Sequence, residues 1–189
     1  MPQNIDLITG HAPHIQAAPL FPPDNGALLS SCRTWRYKLW RRWSEAPPVV
    51  FIGLNPSTAD ESSDDHTIRR CMNMAGKWDV GGIIMLNLYG FRATHPKDLW
   101  TAPDPVGPDT DTCLLASCEE AAGVVACWGG FPEAGARIKQ VVGMLEREGV
   151  PLSILGTTKS GHPRHPSRTP RGIQAMSTSW MTLLPKDPS

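Results

Sequence analysis

The chain has 189 residues, 18 of them basic and 18 acidic, for a formal net charge of zero. That length suits one globular domain with a real core, and 40% hydrophobic against 19% charged residues excludes a disordered, highly charged chain. Zero net charge excludes a protein that coats DNA by bulk attraction, while leaving room for a local basic face. The longest apolar runs are far too short to cross a bilayer, and residues 1–30 lack the basic start and apolar stretch of a secretory leader. Cysteines at 32, 71, 113, 118 and 127 are too sparse for a disulfide scaffold, so a reducing cytoplasm is expected.

Residues 1–28 are rich in proline and polar residues and read as an extended or poorly ordered arm, with the domain proper spanning 29–189. From Ser30 to Ser44, Arg33, Arg36, Lys38, Arg41 and Arg42 interleave with Trp35, Tyr37, Trp40 and Trp43. Such a segment fits either a nucleic-acid contact or an amphipathic helix or hairpin with Trp inside and Arg in water. Val49–Leu54 is a continuous apolar run, the mark of a strand buried on both faces. After a polar loop, Ile68, Cys71, Met72 and Ala75 recur at helical spacing, predicting a helix over 67–78.

The alternation repeats. Gly82–Leu88 reads as a second strand, 94–108 as a proline-broken loop, 111–122 as a helix and Gly123–Gly129 as a third strand. Residues 132–148 carry Ile138, Val141, Val142 and Leu145 on one stripe, Pro151–Gly156 reads as a fourth strand, and 157–172 as a Pro- and Gly-rich loop. Strands alternating with helices predict an α/β domain, a central four-stranded parallel sheet with helices on both faces.

In such a sheet ligands bind beyond the carboxyl ends of the strands. Those ends hold Gly53-Leu54-Asn55-Pro56-Ser57, then Leu86-Asn87-Leu88-Tyr89-Gly90-Phe91, then Cys127-Trp128-Gly129-Gly130, and then Arg164-His165-Pro166-Ser167-Arg168. A polar Asn87 closing a buried apolar strand needs a partner. Asn55 reads equally as a turn residue, His165 as surface loop, and Tyr89 and Phe91 as core. The acids Asp60, Glu61, Asp64 and Asp65 read as a solvated loop, with Asp65 placed to cap the following helix.

Four motifs in this order resemble the uracil-DNA glycosylase superfamily, in a divergent bacterial and phage branch catalogued as a domain of unknown function. The carriers are Gly53-Leu54-Asn55-Pro56, Leu86-Asn87, the apolar run into Trp128-Gly129, and His165-Pro166-Ser167. The resemblance implies a glycosylase that cleaves the N-glycosidic bond of a modified or mismatched pyrimidine after base flipping. In it Asn55 positions the attacking water, Asn87 reads the base edge and His165 stabilises the leaving base. Tyr89 or Phe91 would stack on the base, and Ser57, Arg164, Ser167 and Arg168 would meet the DNA. The most active members carry an acid where this chain has Asn55, and an amide takes no proton, so the acidic loop is expected to offer a substitute in Asp60, Asp64 or Asp65, with Asp65 placed among the catalytic residues. The partner so implied is DNA, with no membrane, no obligate protein partner, no cofactor and no metal; the scattered cysteines do not suit an iron–sulfur cluster. Two further readings stay open: a non-catalytic reader of modified bases, and a metal-dependent nuclease or phosphohydrolase using Asp60, Glu61, Asp64, Asp65 and His66.

Overall fold

The computed structural model describes residues 25–183. It is an α/β fold on a mixed seven-stranded sheet, ordered β1-β2-β4-β3-β5-β6-β7. The strands are β1 (Asn25–Leu29), β2 (Arg36–Arg42), β3 (Val49–Gly53), β4 (Gly82–Asn87), β5 (Gly123–Ala126), β6 (Leu152–Ile154) and β7 (Met176–Ser177). The pairs β1–β2, β2–β4 and β6–β7 are antiparallel, whereas β3 pairs in parallel with β4 and β5, and β5 with β6. The helices are α1 (His66–Ala75), α2 (Pro96–Trp100), α3 (Thr110–Glu119), α4 (Gly135–Arg147) and α5 (Trp180–Leu183). No helix among the described residues is long and apolar enough to cross a membrane.

The sheet is therefore larger than the expected four parallel strands, and mixed. The Trp- and Arg-rich segment supplies β2, which pairs with β4 in the antiparallel sense, Leu39 opposite Met85 and Arg42 opposite Gly82. The arm expected over 1–28 ends at least four residues early, because Asn25–Leu28 already pair with β2; its first 24 residues lie outside the described ones.

Because strand side chains alternate, each central strand feeds two cores. Val50, Ile52, Ile84, Leu86 and Val124 point to one face, where Leu114 of α3 and Ile138, Val141, Val142 and Leu145 of α4 cover them. Val49, Phe51, Ile83, Met85 and Val125 point to the other, where Ile68, Cys71, Met74 and Ala75 of α1 cover them. Full burial of such side chains is worth about 1.5–3 kcal/mol each, so both layers are needed to hold the sheet. Arg137 pins α4 to the rest: buried, its Nε donates to the Leu88 carbonyl at 2.7 Å and its Nη atoms pair with Asp111 of α3. All five cysteines are free thiols.

Candidate functional site

The parallel register sets the site. Gly53 of β3 stands beside Asn87 of β4, so the segments leaving these two strands run together. The Leu88 and Tyr89 N–H groups donate to the Gly53 and Leu54 carbonyls at 2.9 and 3.0 Å. A Cβ at Gly53 would sit 2.8 Å from the Asn87 amide nitrogen, so the close approach requires glycine. After β5, Gly129 turns the chain with φ +81°, a left-handed conformation that glycine adopts without strain. Beyond these ends opens a cleft of about 620 Å³.

Asn55, Ser57, Asp65, Asn87, His165, Ser167 and Arg168 line this cleft together, with Arg36 and Phe131 among their neighbours. The Asn55 Nδ2 donates to the Pro56 and Ala93 carbonyls at 2.9 and 2.8 Å. Both amide protons are spent, so what remains at residue 55 is an acceptor oxygen. Asn87 is the reverse. Its Oδ1 accepts from Nη2 of Arg36 at 3.1 Å, which leaves Nδ2 as the free donor.

Arg36 is 3% exposed and yet forms no ion pair among the described residues. Its Nη1 donates to the Ala59 carbonyl at 2.9 Å and its Nε is buried with no partner. Burial lowers its pKa to about 10, with the Asp65 charge opposing that shift, so the group stays cationic at neutral pH. A lone buried guanidinium behind Asn87 polarises the amide and strengthens its N–H donors.

His165 heads a short 3-10 turn, Pro166–Arg168, and its Nδ1 accepts from the Ser167 backbone N–H at 3.3 Å, with the Ser167 hydroxyl at 2.7 Å. Accepting at Nδ1 leaves the proton of the neutral ring on Nε2. Burial, and then the nearby Arg168 charge, lower the pKa of the ring. Asp65 caps α1, its Oδ1 accepting from the Ile68 N–H at 2.9 Å. That bond fixes the carboxylate at the cleft wall.

Three expected site residues lie elsewhere. Tyr89 is buried in the core, because the chain beyond β4 passes under the 105–106 loop. It meets Trp100 edge-on at 5.6 Å between ring centroids, and Trp100 in turn meets Phe131 at 6.4 Å. Phe131 is thus the ring of this row that reaches the cleft, and sequence reasoning missed it between a Gly-Gly pair and a proline. Phe91 bridges to Trp35 on β2's side of the molecule. Arg164 donates to the Thr157 carbonyl at 2.8 Å and braces its own loop, next to His165 but facing away from the cleft.

The carboxylates of the acidic loop brace the loop and its neighbours. Asp60 accepts from Ser62 and Ser63, Glu61 pairs with Arg33, and Asp64 pairs with buried Arg41. Among the described residues no three His, Cys, Asp or Glu side chains stand together as a metal-holding group.

A family model described as a protein of unknown function, DUF1643, matches residues 36–167. The chain belongs to the DUF1643 family. The matched span opens on Arg36 and closes on Ser167, so it encloses every cleft residue named above except Arg168. No curated protein and no solved structure matches the chain.

Proposed function

We propose that this DUF1643 protein is a DNA glycosylase that takes a flipped-out modified or mismatched pyrimidine into the cleft and hydrolyses its N-glycosidic bond. One observation carries the reading: amides at two adjacent strand ends, locked with opposite polarity, line a cleft roomy enough for a nucleotide that also holds a neutral histidine and a carboxylate. The motif resemblance to the uracil-DNA glycosylase superfamily supports the same chemistry.

In this reading Phe131 offers the base a stacking face, and the Nδ2 of Asn87 donates to an acceptor on its edge, a carbonyl oxygen or an unprotonated ring nitrogen. Because the Asn87 oxygen is held by Arg36, the site selects against a base that presents only a donor there. The Asn55 oxygen accepts from a water and holds it at the sugar. The water oxygen bonds to C1′ as its proton passes to the Asp65 carboxylate, and the bonding pair of the C1′–N1 bond leaves with the base. The negative charge so formed is met by the Asn87 N–H, backed by the Arg36 cation, and by the Nε2–H of His165, an arrangement of the oxyanion-hole kind. The proton finally returns from Asp65 to the released base. Flipping costs a few kcal/mol, least for a mismatched or modified base, which is where the selectivity starts.

The test is incubation with labelled oligonucleotides carrying uracil, thymine mismatches or modified pyrimidines, followed by hot alkali to reveal abasic sites. Alkali-labile sites should appear for one base class, and N55A and H165A should each slow them by at least about 100-fold. Release of no base from any substrate refutes the hydrolase. A second reading has an observation of its own, that residue 55 is an amide with both protons spent: retention of one modified oligonucleotide without cleavage would favour a non-catalytic reader.

A further inference from the structure

A second hollow, of about 530 Å³, lies on the other side of the wall formed by α1 and the 166–171 segment. Along α1 and the residues flanking it the side chains divide: Asp65, Thr67 and Ile68 line the cleft, while His66, Arg69, Arg70, Asn73 and Lys77 line this groove together with Arg171. Arg70 ties the wall together, its Nη2 donating to the Thr169 carbonyl at 2.6 Å. The groove lining contains four permanent cations and no acid. None of the four forms an ion pair among the described residues. Of the acids nearest in sequence, Asp64 pairs with Arg41 and Asp65 caps the helix, while Asp79, two residues beyond Lys77, stays outside the groove lining.

We infer that this groove binds the phosphodiester backbone of a nucleic acid, carrying the strand whose base occupies the cleft. Charge and shape select the partner. Arg69 and Asn73 stand one turn apart on α1, about 6 Å along its axis, and Lys77 follows just past the helix end. That spacing makes a row of donors rather than a single anion pocket, and an extended polyanion meets a row. Arg168 lines the cleft and Arg171 the groove, three residues apart along the wall that separates them, so phosphates flanking an extruded nucleotide have cations on both sides of the wall. A membrane would demand an apolar complement, and the groove offers only Met74 and Ile173. The inference rests on the cleft being the base site only for the direction of the strand, and requires no bond cleavage.

The experiment is fluorescence anisotropy with an unmodified labelled oligonucleotide, single- and double-stranded, over a salt series. Neutralising phosphate contacts releases counterions, so the logarithm of the binding constant falls linearly with that of salt, by roughly 0.9 per contact in duplex and 0.7 in single strands. The R69Q/K77Q/R171Q variant removes three exposed cations and leaves the structural Arg70 in place, and its slope should be shallower by about 2. A control of equal charge on other surfaces, K97Q/K139Q/R147Q, should keep the wild-type slope. Four results overturn the inference: a groove variant with the wild-type slope, a control that loses as much, no binding by the wild-type protein at low salt, or polyglutamate competing as well as DNA. Binding with an intact slope but no base release from any substrate would sink the hydrolase and leave the groove standing.

Discussion

Arg36 is the residue whose surroundings explain most about the cleft. A buried cation that forms no ion pair is expensive, and such groups persist where the charge is used. Here it holds the Asn87 oxygen and the Ala59 carbonyl with two separate nitrogens, and that geometry needs a planar fork. R36K keeps the charge but offers a single ammonium, which cannot hold both acceptors in the same places. Its single-turnover base release should fall by one to two orders of magnitude, with thermal stability lowered modestly. R36M removes the charge as well and leaves the two acceptors unpaired, at a cost of about 1–3 kcal/mol each. Its base release should fall further than that of R36K. Equal rates for the two variants would mean that the cation does nothing beyond orienting the amide. Single-turnover kinetics beside thermal melts separate the two contributions.

At the scale of elements, α1 does two jobs, and Asp65 belongs to both. Its side chain caps the helix that closes one core, and its carboxylate stands at the cleft wall. D65A loses the cap at a cost of about 1 kcal/mol. D65N retains it, since asparagine caps a helix about as well as aspartate. If Asp65 accepts the water's proton, D65N should melt near the wild type and yet lose at least about 100-fold in base release. An active D65N would return Asp65 to a purely structural role. The elements were unevenly legible in the sequence. The strands around Val50, Ile84 and Val125 stood out because their apolar runs are continuous, and the stripe of α4 because its helical period is unbroken. Asn87 and Asn55 stood out because polar residues closing apolar strands are rare. By contrast β2 alternates Arg with Trp and Tyr, which matches a hairpin or a helix equally well, so the sheet's antiparallel flank went unread. Arg36 was lost with it: an arginine among five basic residues looks solvated, and only the fold buries it. For Tyr89 and Phe91 the two readings offered, stacking face or core, could not be parted in sequence, because aromatic rings beyond a strand end turn inward as readily as outward; pairing of the following segment with the 105–106 loop sets both against the core.

For the whole molecule the charge balance of zero hides two titrating regions with separate pH windows. The His165 pKa is lowered in the folded protein from the ordinary 6.5, first by burial and then by Arg168. Below about pH 6.5 the unfolded chain therefore takes up a proton there that the folded chain resists. The stability contributed by the neutral ring is complete above that pH and is lost as pH falls toward the lower folded value. The second region is the acidic loop. The Asp60 pKa is held at about 2 by the Ser62 backbone N–H and the Ser63 hydroxyl, and that of Glu61 is lowered by Arg33. Those contributions are present above the ordinary carboxylate values of 3.8 and 4.5 and are lost only in stronger acid. Urea midpoints measured from pH 7 to pH 3 should thus decline gently below 6.5 and fall again below about 4. H165N should abolish the first decline and leave the second, and D60N should weaken only the second. A first decline that survives in H165N would assign it to another group. The same window bears on function, because a proton added at Nδ1 breaks the bond from the Ser167 N–H and releases the ring from the orientation in which its Nε2 donates. Base release should therefore hold through the onset of that decline and weaken only as pH reaches the lower folded value of the ring.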